Sequence, residues 1–266
     1  MPQLVVATLN LHAGIDGWGT PFDVVACCGQ LDADVLLLQE TWTPEGGEGL
    51  ASHVATSLGY EAHEVALSGA LLLESVEVVG TRWGPINRRK NRSLWVGDAE
   101  DLRHLRRARW DKARAGTWGI ALLSRLPVRR VETIELGQLA RDPAERRSAV
   151  LAEVEVGTSS VTVVGTHLAH FTQGSPVLLG RLHRKLPSPG QPAVLAGDMN
   201  FWGPPLSLAL PGWRRAVRAR TYPSWRPHSQ TDHIFVTRAV EVISGESVAV
   251  GRSDHLPLRA RLAVAG

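Results

Sequence analysis

Short apolar runs rich in β-branched residues recur along the chain, at residues 4–9, 35–38, 69–73, 76–79, 119–123, 131–136, 149–156, 161–166, 193–196, 233–236, 240–243 and 256–262. Runs of four to eight residues bounded by Gly, Pro, Asn and Asp read as strands. Between some of them the spacing turns helical, at residues 22–31, 51–58 and 178–186. Gly157-Thr158-Ser159-Ser160 is a turn joining 149–156 to 161–166 in a hairpin, and 76–79 pairs in the same way with the run before it. Hairpins mixed with helical crossovers predict mixed sheets with helices outside them. Residues 82–116 break this periodicity and read as an insertion or surface loop with a short helix near 101–109. The Pro- and Gly-rich stretches 203–212 and 222–228 read as loops.

Many of the runs end in chemistry. Residues 4–9 lead into Asn10, 35–38 into Gln39-Glu40, 161–166 into His167, and 193–196 into Gly197-Asp198-Met199-Asn200, while Ser253-Asp254-His255 precedes the last run. Burying such groups unpaired costs several kcal/mol each. Their repetition at strand ends points to the walls of one site.

The chain has 266 residues with no apolar stretch of membrane-spanning length, and Met1-Pro2-Gln3 lacks the stages of a secretory signal, so a single domain and a cytoplasmic protein are expected. Cys27 and Cys28 are adjacent within a helical stretch and read as buried thiols, not a redox pair. The formal charge is only +3, yet residues 82–130 hold 12 Arg and 2 Lys against 3 Asp and 1 Glu, a local +10. Such a segment suits an anionic partner, and Trp83, Trp95, Trp110 and Trp118 within it suit stacking on bases. The competing reading is a solvated helix face with its arginines paired to local acids.

The residue types suit hydrolysis at phosphorus. Glu40 offers carboxylate oxygen to a hard cation such as Mg²⁺ or Mn²⁺, with Asn10 and Gln39 as hydrogen-bonding neighbours. Asp198 can orient or deprotonate water, and Asn200 can hold a phosphoryl oxygen. Asp254 is a further carboxylate for metal, His255 an imidazole for charge stabilisation or proton transfer, Asp232 its orienting partner, and His167 another donor. His12, His170 and His233 read as packed histidines. Zinc fits poorly, because no His-x-x-x-His pair or ligand-spaced cysteines occur, and neither a Walker loop nor a Gly-x-Ser-x-Gly elbow is present.

Taken in order, Thr8-Leu9-Asn10, Leu38-Gln39-Glu40, residues 119–127, Arg147 with Ala149-Val150, Gly165-Thr166-His167-Leu168, Gly197-Asp198-Met199-Asn200, Thr231-Asp232-His233-Ile234 and Ser253-Asp254-His255-Leu256-Pro257 resemble the successive motifs of the endonuclease/exonuclease/phosphatase superfamily. The resemblance spans nearly the whole chain. It implies a four-layered α/β sandwich, two packed mixed β-sheets flanked by helices, with a Mg²⁺-dependent phosphoesterase site at one end. By motif, Glu40, Asn10 and Asp254 would hold metal, with Asp198 the water-activating carboxylate. Asn200, His167 and Arg147 would contact or support the phosphate, and His255, oriented by Asp232, would stabilise the transition state. His12 stands where some DNA-repair members carry an acidic residue.

The favoured reaction is metal-assisted attack of water on a phosphodiester in nucleic acid. The alternatives are a phosphomonoesterase acting on inositol phosphates or another small ester, and a catalytically silent binding module of the same fold.

Overall fold

The computed structural model describes residues 1–74, 92–97 and 112–264. Its strands, in chain order, are β1 (Gln3–Asn10), β2 (Val35–Pro44), β3 (Glu61–Glu74), β4 (Arg92–Val96), β5 (Lys112–Ser124), β6 (Val128–Gly137), β7 (Arg147–Val156), β8 (Ser159–His167), β9 (Ala193–Asp198), β10 (Trp213–Arg215), β11 (Asp232–Thr237), β12 (Val240–Ser247) and β13 (Leu258–Val264). Among the described residues they form a seven-stranded sheet, β12-β13-β1-β2-β5-β3-β4, and a six-stranded sheet, β10-β11-β9-β8-β7-β6. Each sheet holds one parallel pair, β1 with β2 and β8 with β9, and is otherwise antiparallel.

Alternation along the strands builds three apolar layers. Leu4, Val6, Val35 and Leu37 point inward and meet Val150, Ala152, Val163, Val194 and Ile234 of the other sheet. The residues between them, Ala7, Leu9, Leu36 and Leu38, pack outward on the helices Val24–Gln30 and Leu50–Leu58. On the far side, Val164, Leu195 and Phe235 pack under Leu178, Leu179 and Leu182 of the helix Ser175–His183 and Leu206 of the helix Gly203–Ala209. Strands covered on both faces need apolar residues at every position, which is why 35–38 is a continuous run. The arrangement is the four-layered α/β sandwich that the resemblance implies.

Several boundaries moved. Residues 203–212 contain a helix instead of a loop, because Pro204 and Pro205 sit in its first turn, where a missing N–H costs nothing. The helix expected at 178–186 starts earlier for the same reason, with Pro176 in its first turn. The described parts of 82–116 are strand, not surface loop: β4 pairs with β3, and Lys112–Gly116 extends β5 along β3. The run at 76–79, the helix near 101–109, Trp83 and Trp110 lie outside the described residues. Cys27 and Cys28 are free and buried, and burial pushes the Cys27 thiol up to about 11 and raises that of Cys28 as well. Among the described residues no helix is long and apolar enough to cross a membrane.

Candidate active site

Strand register assembles the site. Across the smaller sheet His167 lies opposite Asp198, and Asp198 opposite Asp232, so three polar residues from β8, β9 and β11 stand in one row at the sheet's end. In the larger sheet Asn10 pairs with Gln39 at the same end. The two rows meet where the Asn10 amide donates 3.2 Å to Asp198 Oδ2 and 3.1 Å to Glu40 Oε1. Ser253 closes the group from the loop before β13, its hydroxyl donating 2.6 Å to the Asn10 carbonyl.

Glu40 reaches this point through a β-bulge. Between Gln39 and Thr41 the pairing of β2 with β5 shifts by one residue, and Glu40 takes φ +50°. The extra residue breaks the alternation, a recurrent means of re-aiming a side chain beside a site. Gln39 faces the other way: its carbonyl oxygen accepts from the Thr8 hydroxyl and its amide donates to the Leu37 carbonyl, so it does not border the pocket as expected.

Asp198 holds the turn after β9 with one oxygen and faces the site with the other. Oδ1 accepts 2.8 Å from the Asn200 backbone N–H, and Oδ2 lies 3.6 Å from His167 Nε2 and 3.8 Å from His255 Nε2. Burial, reinforced by the nearby Asp232 charge, pushes the Asp198 carboxyl up to about 7. His255 Nδ1 donates 2.8 Å to Asp232 Oδ2. Burial opposes charge on this imidazole, but the carboxylates of Asp232 and Asp198 outweigh it and hold His255 well above the ordinary histidine range. Burial likewise opposes charge on Asp232, and the same pairing overcomes it, so Asp232 stays below the usual carboxylate range. The two form an imidazolium–carboxylate pair, with the ring of Tyr222 packed 4.8 Å from that of His255.

His167 is of the opposite kind. Burial, reinforced by the Arg147 charge, drives its pKa well below the ordinary value. Its Nε2 accepts from the Asn200 amide at 3.1 Å, and the same amide donates 3.0 Å to the Leu168 carbonyl. Arg147, expected among groups that touch substrate, instead lies buried behind His167. It grips Asp142 with two hydrogen bonds of 2.6 and 2.8 Å, donates to the His167 carbonyl and stacks on Trp118, whose ring backs His167 at 5.1 Å. Asp142 and Trp118 as props of this histidine had no local signal in sequence, because they reach it only through the folded sheet.

These groups border a pocket of about 600 Å³ lined by Glu40, Asp198, Asn200, Asp254 and His255 at its chemistry, with His12, His170, Tyr222 and His228 around them. His12 and His170 thus border the site, whereas His233 is a packed histidine bonded to the Phe201 carbonyl. Asp254 stands 3.6 Å from His12 Nδ1. Among the described residues, three carboxylates and no Lys or Arg line the pocket. A phosphate would be repelled from such a wall unless a cation offset it, and the donors are the oxygen type that Mg²⁺ and Mn²⁺ favour. The residues present therefore fit a hard divalent ion. A second set that could hold an ion is Asp198, Asp232 and His255, whose ligand atoms lie within 4.8 Å of one another.

The sequence profile of the Endonuclease/Exonuclease/phosphatase family matches residues 7–255. No curated protein matches the sequence significantly. Among solved structures, an endonuclease/exonuclease/phosphatase from Beutenbergia cavernae aligns with TM-score 0.66 and 21% identity over 100% of this chain and 72% of its own. The human nocturnin catalytic domain with bound sulfate aligns with TM-score 0.64 and 17% identity over 99% of this chain and 94% of its own. A mannosyl-6-phosphatase from Bacteroides thetaiotaomicron aligns with TM-score 0.62 and 14% identity over 98% and 99%. At these identities the likeness is one of fold.

Proposed function

The chain belongs to the endonuclease/exonuclease/phosphatase family, and from that premise we propose that it is a divalent-metal-dependent phosphodiesterase acting on nucleic acid. The observation that carries the reading is the pairing of two oppositely tuned groups across one pocket: a carboxyl raised to about 7 at Asp198 and an imidazole held protonated at His255, their nearest atoms 3.8 Å apart. Groups whose surroundings push their titrations apart are suited to separate acid and base roles.

In this reading Asp198 Oδ2 orients water and takes its proton as the new P–O bond forms and the ester P–O bond opposite it breaks, the leaving oxygen taking a proton from solvent. His255, kept charged and aligned by Asp232, donates to a non-bridging phosphoryl oxygen, where negative charge grows in the transition state. Asn200 holds a second oxygen, for which the phosphoryl group competes with His167 Nε2 for one amide hydrogen. His167, held neutral, positions that amide, and Arg147 positions His167 from behind. Glu40, with Asn10 beside it and Asp254 nearby, is the set we assign to the metal, because Asp232 and His255 already satisfy each other. Bound there, a divalent ion would offset the phosphate charge and polarise the P–O bond.

A phosphomonoesterase is the second reading, favoured by the mannosyl-6-phosphatase among the structural neighbours. Among the described residues the pocket wall offers compact polyphosphates such as inositol phosphates no Lys or Arg, which speaks against them. Purified protein, metal-stripped and then given Mg²⁺ or Mn²⁺, is expected to hydrolyse bis(p-nitrophenyl) phosphate and to prefer it over p-nitrophenyl phosphate. Preference for the monoester favours the second reading, and no turnover of either with any divalent ion supports a silent module.

A further inference from the structure

Between Asp198 and Asp232 the chain holds no Asp or Glu, and it holds five arginines: Arg214, Arg215, Arg218, Arg220 and Arg226. Arg218, Arg220 and Arg226 are exposed, and the run offers no carboxylate of its own to neutralise them. Contacts tie the run to the pocket. Arg215 lies so close to Gly203, next to Trp202, that a Cβ there would stand 1.9 Å from its Nη1. Burial and the Arg218 charge both disfavour charge on Arg215. Arg220 directly precedes Thr221, whose hydroxyl accepts from the Asp232 backbone, and Arg226 lies between Trp225 and the pocket residue His228.

Aromatic rings are exposed along the same border. Phe171, Phe201 and Trp202 form one cluster, with Phe171 and Phe201 stacked at 5.2 Å and Trp202 packed 4.9 Å from Phe171. Phe171 and Trp202 line the pocket, yet Trp202 is 50% exposed. A second group comes from the arginine run itself, where Trp225 packs on Trp18 at 4.8 Å while remaining 51% exposed. Large rings left open near a pocket mouth, with exposed arginines that make no ion pair among the described residues, are the pairing that single-stranded nucleic acid requires, because its bases are free to stack and its phosphates follow at regular spacing. In a duplex the base faces are already covered. A small phosphate ester would use neither the arginines nor the second aromatic group.

We propose that the residues between Asp198 and Asp232, with Phe171, form a track for single-stranded nucleic acid, in which Phe171, Trp202 and Trp225 stack bases and Arg218, Arg220 and Arg226 take phosphates flanking the scissile one. The proposal rests on the phosphodiesterase reading for its substrate class. It concerns a different run from the basic stretch at 82–130, most of whose arginines lie outside the described residues.

Binding of fluorescein-labelled (dT)12, measured by anisotropy in EDTA over a salt series, tests the track without turnover. The single strand should bind at least about tenfold tighter than its duplex with (dA)12. Replacing Arg218, Arg220 and Arg226 by Gln should flatten the log–log salt slope by about 2, the loss expected for three phosphate contacts. The Phe171→Ala/Trp202→Ala pair should weaken binding about tenfold at unchanged slope. If thermal unfolding shows that pair to be misfolded, Phe171→Leu/Trp202→Leu serves instead. Removing the same charge at Arg129, Arg184 and Arg238, exposed positions away from the pocket, is the control. Equal effects of the two arginine triples, or duplex binding as tight as the single strand, would overturn the track. Hydrolysis of bis(p-nitrophenyl) phosphate by the unsubstituted protein reports separately on the phosphodiesterase reading, so either can fail alone.

Discussion

His233 shows how closely function and packing lie side by side at the level of single residues. It follows Asp232 directly, yet its side chain leaves the pocket, donates 2.9 Å to the Phe201 carbonyl and is fully buried. Burial pushes its pKa down to about 4 from 6.5. The unfolded chain therefore binds more protons than the folded one between those values, and stability from this residue is present above pH 6.5 and lost as pH falls toward 4. The loss amounts to about 3 kcal/mol. Urea unfolding at pH 7 and pH 4.5 should show a smaller difference for His233→Gln than for the parent protein. Sequence read His233 as packed because it sits in an apolar strand, and the structure buries it against the Phe201 carbonyl. Sequence could not show that Arg147 would be spent on Asp142, since a buried guanidinium and one facing substrate look alike in a strand.

At the level of elements, the site depends on two local departures from regular strand geometry. One is the bulge at Glu40. The other is Gly197, whose φ of +145° and close approach to the neighbouring strand leave no room for a side chain: a Cβ would lie 1.9 Å from the Thr166 carbonyl oxygen. The approach brings β8 and β9 together where His167 pairs with Asp198. Gly197→Ala should therefore destabilise the protein by more than about 2 kcal/mol, because the clash is with backbone that cannot rotate away. Chemical denaturation measures this directly, and a cost under about 0.5 kcal/mol would show that the strands can separate without penalty. The apolar strand cores were legible from their runs. The polar ends of the long strands were not: Glu61–Ala66 of β3 pairs with Gly119–Ser124 of β5, and the start of β5 pairs with Ser68–Glu74 of β3, but neither Glu61–Ala66 nor residues 112–117 carry an apolar run.

Over the whole molecule, the chain's ends are sewn together. β13 pairs with β1, and β1 with β2, so the last motif reaches Asn10 through a sheet that neither half of the chain completes alone. We therefore propose one folding unit, for which urea unfolding followed by fluorescence and by circular dichroism should give coincident transitions. Separate midpoints would contradict it. The eight ordered motifs were legible as a set because each strand that borders the pocket ends in polar residues. The arginine run between Asp198 and Asp232 did not stand out in sequence, because it is more dilute than the stretch at 82–130 and only the fold shows that its neighbours line the pocket. The central claim is that Asp198, raised to about 7 beside a protonated His255, moves the proton of the attacking water. Asp198→Asn keeps the oxygen that caps the turn and replaces the basic one by an amide NH2, which also gives up the hydrogen bond from Asn10, so thermal unfolding is followed alongside activity. Its kcat on bis(p-nitrophenyl) phosphate at saturating Mg²⁺ should fall about 10³-fold in protein that still unfolds cooperatively. A kcat within about threefold of the parent would place the base elsewhere and refute the assignment.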